Sequence, residues 1–487
     1  MTDTTKLEQS AELAIGAFSQ AIINDVDVFQ KLQDKEPQIL LHIAELRMDI
    51  KFILMDLGTS FIAACKSKEP YACRFHLKNL DAGIQEAYKL LLNYGKSQRY
   101  TVWKRIGKML NEKPVCELEE NANFLKDYQL ITTQLEKIAG DENDKLHRDL
   151  TYHYDANMKL VYDYTVAAYN LEEASTKFIM VFQVLKDIFK LCDSIETCLN
   201  SKGIETIVHT ETSSIDDSLH LALIQHLNQN KELPKTLDMV LRDVQPIDYY
   251  AQHHEKFNKL KDVVAGQIEF PELDNVNTML NLQLTILFMR ADMAAISKAF
   301  LLSKTNGEAM LNMRRYVITI TAAFGHLYGY SETERANSIW SSVVGMMPAE
   351  NQKLKDEAGE IDDMLSNIVL RRDMDLRTNY VHLLDNQSHK TNIPTILSLL
   401  RNQNPILEIQ KVTIMLQVTK KIMDFMKKVM EELAQKTHEA NEKSTIELRE
   451  QLKKIKGIAE HPDCPDMLKD TLLEIVNKVQ TWTKIEL

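Results

Sequence analysis

The stretch from Leu40 to Leu57 reads LLHIAELRMDIKFILMDL, and its apolar residues Leu40, Ile43, Leu46, Ile50, Ile53, Leu54 and Leu57 recur every three or four positions. That period marks one face of an α-helix, because a strand would alternate every second residue. Phe178, Val181, Leu185, Ile188 and Cys192 form a second stripe of the same spacing. Outward from these stripes the breaks are few. The 487 residues include only 14 Gly and 11 Pro, together about 5% of the chain against roughly 12% in average usage. Strand turns and dinucleotide-binding loops consume both residues, so sheet-rich folds and Gly-rich phosphate loops are excluded. The fold class is therefore all-α.

The totals bound function only loosely. Hydrophobic residues make up 44% and charged residues 26% of the chain, as expected for a globular protein with a full core. No apolar run approaches the roughly 18 to 20 residues of a membrane span, so no membrane partner is expected. Met1 to Gln9 are polar and unlike a secretory signal. Six Cys without recurrent spacing suggest neither a disulfide framework nor a Cys-x-x-Cys metal site; reduced thiols and a cytoplasmic location follow as expectations. A net charge of −12 disfavours indiscriminate nucleic-acid binding but leaves room for a local basic groove.

The second half repeats features of the first. Leu46, Ile50, Phe52 and Asp56 reappear 236 positions later as Leu282, Ile286, Phe288 and Asp292. Tyr94-Gly95 returns as Tyr328-Gly329, each followed by a Trp (Trp103, Trp340) in the next apolar segment. Gln183, Val184, Lys186 and Ile188 match Gln417, Val418, Lys420 and Ile422 at a shift of 234. A nearly constant offset predicts two tandem related helical bundles, over residues 1–200 and 236–434. Residues 201–235 would be a linker with a connecting helix, and 435–487 a C-terminal helical extension rich in Glu and Lys.

Each predicted copy holds one hexapeptide with Arg and His five positions apart. The first is Arg148-Asp149-Leu150-Thr151-Tyr152-His153; the second is Arg377-Thr378-Asn379-Tyr380-Val381-His382. These resemble the Arg-x(4–6)-His signature of HEPN domains, helical bundles named for higher-eukaryote and prokaryote nucleotide-binding proteins. The resemblance implies a metal-independent endoribonuclease without cofactor, its two motifs meeting at one composite site. It also implies a toxin or antiviral defence setting. A polar residue commonly follows the Arg in that family, which Asp149 fits better than Thr378. The chemistry is reasonable on its own terms. An imidazole can move a proton at neutral pH, and a guanidinium can stabilise phosphate charge. Asp149 and His153 are i,i+4 neighbours, so the carboxylate could orient the ring.

Between Tyr71 and Leu110, eight basic residues face only Asp81 and Glu86, a local charge of +6. Arg74, Lys78, Lys96, Arg99, Lys104 and Arg105 are the candidate RNA contacts, with Tyr94 and Tyr100 interleaved for base stacking. Trp103 is better read as core. Other groupings are weaker: His253 and His254 point about 100° apart on a helix, and His461 with Cys464 lacks a second ligand pair. No metal site is expected. The alternative from another class is a non-catalytic helical scaffold or homo-oligomer that binds protein partners through its helix faces.

Overall fold

The computed structural model describes residues 4–33, 37–92, 101–112, 114–138, 170–204, 218–229, 232–243, 271–368, 371–381, 383, 391–462 and 466–483. The chain is all-helical, and no strand forms among the described residues. In the first part, α1 spans Thr4–Lys31, α2 Gln38–Lys66, α3 Pro70–Leu92, α4 Val102–Glu112, α5 Leu118–Ile138 and α6 Leu171–Ser201. Two short helices follow, α7 (Ser218–Gln229) and α8 (Glu232–Asp243). The second part comprises α9 (Pro271–Leu301), α10 (Asn306–Leu327), α11 (Glu332–Ala336), α12 (Ile339–Gly345), α13 (Gln352–Ser366), α14 (Arg371–Val381), α15 (Ile393–Arg401) and α16 (Pro405–Ala459); α17 (Asp466–Thr483) closes the chain.

Local chemistry sets the boundaries. The Asn170 side chain accepts from Glu173 N to cap α6, Thr305 caps α10 in the same way, and Asn404 precedes Pro405 at the start of α16. After α10 the chain turns through Gly329 at φ +82°, where a Cβ would meet the Glu334 and Arg335 backbone at 2.7 Å. No other residue fits there.

The core is continuous and crosses the middle of the molecule. Helix α2 packs on α1, α3, α4 and α6, and α9 packs on α10, α12 and α16. The two parts meet where α2 lies against α10 and α3 lies against α9. Helices α2 and α10 are buried on nearly all sides, so the charged residues they carry lie inside the molecule. Helices α7 and α8 rest on α9, so the region expected as linker carries helices docked on the second part. Helix α16 runs 55 residues without interruption through position 435, and α17 folds back on it.

One expectation needs correction. Cys116, just before α5, and Cys198, near the end of α6, are joined by a disulfide, which overturns the expectation of six reduced thiols. Their separation of 82 positions hides them from spacing rules; only the packing of α5 on α6 unites them. Closing such a loop raises the free energy of the unfolded chain by about 4.5 kcal/mol in the chain-entropy account. Cys65, Cys73 and Cys192 are free. No helix among the described residues is long and apolar enough to cross a membrane.

Candidate functional site

The junction of the two parts is a charged seam inside an otherwise apolar core. On α2, Glu45, Asp49 and Asp56 are spaced by four and seven, so they share one helix face. All three are buried. Asp56 receives Arg314 at 3.1 Å and Arg315 at 2.9 Å, both from α10. Arg314 also stacks over the Phe52 ring, 5.5 Å from its centroid. Burial alone would raise the Asp56 carboxyl, but the Arg315 and Arg314 guanidiniums outweigh it and hold the group below the ordinary carboxylate range.

A mirror contact joins α3 to α9. Lys78 reaches Asp292 at 3.4 Å, and the Tyr71 hydroxyl donates to Asp292 Oδ1 at 2.8 Å. Asp56 and Asp292 are 236 positions apart, as are Lys78 and Arg314. Each acid is therefore paired with the base that stands at the other's shifted position.

At the end of the seam near the start of α2, Arg105 donates to both Glu45 oxygens at 2.7 and 2.8 Å, and Thr391 N approaches Glu45 Oε1 at 3.4 Å. Burial raises the Glu45 carboxyl, yet His42 and Arg105 bring it below its usual value. Asp49, one turn on, is fully buried without a well-placed donor. Burial first, then the Glu45 charge, push its carboxyl well above the ordinary range; the Thr391 hydroxyl and Arg105 offset only part. Toward the other end of α2, Thr59, Lys66, His76, Lys298, Glu308 and Asn312 line a cavity of about 30 Å³, room for a water or two. Lys66 is held by Glu12 at 2.6 Å, and Lys298 by Asp238 at 2.6 Å and Glu69 at 3.0 Å. His76 is 1% exposed, and burial followed by the Arg315 charge lowers its imidazole to about 3, so the ring is neutral.

Of the motif residues, Arg148, Asp149, His153 and His382 lie outside the described residues. Arg377 sits on α14, half-buried, with its Nε unpartnered among the described residues. That helix is fixed to the seam: Arg314 Nε donates to the Tyr380 carbonyl at 2.8 Å while the same guanidinium holds Asp56. Among the basic residues, Lys96 and Arg99 also lie outside the described set. Arg74 and Lys104 are half-buried. Lys78 is 6% exposed and, like Arg105, spends its charge on an internal carboxylate. Trp103 is core, stacked on Tyr128 at 4.5 Å and donating to Thr132 Oγ1 at 2.9 Å. Gly107 makes room for that tyrosine, since a Cβ would stand 2.2 Å from its ring.

Sequence reasoning missed Glu45, Asp49 and His76. The available signal was acidic residues sharing one face of a helix that is otherwise apolar. No known protein family, curated protein or solved structure matches the chain.

Proposed function

We propose that the chain is a duplicated, HEPN-like helical bundle acting as a metal-independent endoribonuclease, with Arg148, Asp149, His153, Arg377 and His382 as its composite site. The observation that carries the duplication is the reciprocal pairing of Asp56 with Arg314 and of Lys78 with Asp292. An isologous contact between two related units requires this: if residue i of one meets j of the other, j of the first meets i of the second. Helix order supports it as well. Helices α2, α3, α4, α5 and α6 correspond to α9, α10, α12, α13 and α16, with matched ends such as Lys66 and Leu301 or starts such as Leu171 and Pro405. In this reading a histidine removes the proton of the ribose 2′-hydroxyl, and the arginines stabilise charge on the attacked phosphate. The setting implied by the family resemblance is a bacterial cytoplasm and a toxin or defence effector.

Purified protein should cleave single-stranded RNA in EDTA, and His153→Ala combined with His382→Ala should reduce the rate at least 100-fold, the usual scale of a lost general base. Cleavage that survives the double substitution refutes the site. A second reading, a scaffold for protein partners, is favoured by the internal use of Lys78 and Arg105, which removes two charges from any RNA surface. Absence of cleavage by the folded protein, with retention of a protein partner by the α16–α17 hairpin, would favour that scaffold.

A further inference from the structure

Away from the seam, Cys116, Cys198 and Glu120 bring one ligand atom each within 4.8 Å of one another. Their placement is fixed from both sides. Asn121, buried in the first turn of α5, donates to the Leu110 carbonyl at 2.7 Å and accepts from Val115 N at 3.0 Å, which pins the loop carrying Cys116. Cys198 projects from α6, packed along α5. Glu120 Oε2 lies 3.2 Å from Cys198 Sγ. The two sulfurs are buried, whereas Glu120 is exposed beside exposed Glu117 and Glu119. Two soft donors under an acidic rim, with one side open to water, suit a borderline-soft divalent cation.

We propose that these three residues form a redox-gated zinc site: the reduced chain binds one zinc ion through both thiolates and the Glu120 carboxylate, with water in the fourth position, and oxidation to the disulfide expels the ion. With a peroxide as oxidant the step balances. The two thiolates lose two electrons and form the S–S bond. Hydrogen peroxide takes those electrons with two protons to give two waters, and zinc leaves as the aqueous dication. The disulfide state is the one in the structure. No metal motif is visible in the sequence, because Cys116 precedes α5 and Cys198 stands near the end of α6, 82 positions apart. The open fourth position and single carboxylate make the ion exchangeable, as a gate requires.

The test uses the full chain, reduced and freed of metal. Zinc should be retained at one equivalent through gel filtration, and cobalt(II) in its place should show thiolate-to-metal charge-transfer absorption. Cys116→Ser with Cys198→Ser should abolish both signals, while a variant replacing Cys65, Cys73, Cys192 and Cys464 with Ser keeps them. Glu120→Gln, at an exposed position that does not threaten folding, should weaken zinc affinity at least tenfold. Peroxide should release the bound zinc in step with formation of the Cys116–Cys198 disulfide. Equal zinc retention by the double-serine variant, unchanged affinity in Glu120→Gln, or disulfide formation without zinc release would each overturn the proposal.

Discussion

Helices α2 and α9 each pack against the helix that follows and against the other part, but they carry charge differently. Helix α2 buries Glu45, Asp49 and Asp56; the residues 236 positions later are Asn281, Thr285 and Asp292. Asp56 has two guanidiniums, whereas Asp292 has one ammonium at 3.4 Å and a phenol. Helix α2 thus holds a network of three buried carboxylates, whereas α9 buries Asp292 and Arg290. A buried charge is tolerated only while its partners persist, so the network side should be the more fragile under substitution.

The largest test is Asp56→Ala. It strands Arg314 and Arg315 in the core, so unfolding free energy should fall by about 3–5 kcal/mol. Asp292→Ala strands a single, more flexible lysine and should cost about 1–3 kcal/mol. Urea unfolding of both variants measures the gap, and equal losses would break the asymmetry.

Acid should expose the same difference next. Position 76 is a neutral buried histidine, while Asn312, 236 positions later, does not titrate. Folded His76 resists protonation until about pH 3, whereas the unfolded residue takes its proton near 6.5. Between those values the unfolded state binds more protons, so stability falls as pH falls. Lowering the pH from 7 to 4.5 should cost about 2–3 kcal/mol through this group. His76→Gln should remove that increment from the urea midpoints; an unchanged pH slope would place the sensitivity elsewhere.

How much of this was legible beforehand differs by level. The helices were readable because Leu40 to Leu57 and Phe178 to Cys192 carry a period that backbone geometry enforces locally. Helix in the Glu- and Lys-rich stretch after residue 435 was likewise readable from local pattern. What a charged side chain faces is decided by distant chain. Lys78 and Arg105 look like RNA contacts in a basic run, but their partners stand 214 and 60 positions away. The disulfide was hidden in the same way. The motif arginine at 377 could be named from sequence, but not the bond from Arg314 to the Tyr380 carbonyl that ties its helix to the Asp56 pair, since that joins three separate helices.

The smallest effect is also the most discriminating, because its sign is opposite. Asp49 has no opposing charge of its own, and the residue 236 positions later is the neutral Thr285. Its carboxyl is raised, so ionising it costs more in the folded than in the unfolded state; the penalty is present at neutral pH and disappears as pH falls toward about 4. Asp49→Asn keeps the shape and removes that penalty, and should therefore stabilise the protein by about 1 kcal/mol at pH 7. The gain should shrink to nothing near pH 4 in urea titrations of the two proteins. A destabilised variant at pH 7 would mean that Asp49 is ionised and held by Arg105, which would make the α2 seam one connected charge network and not a paired acid beside an unpaired one.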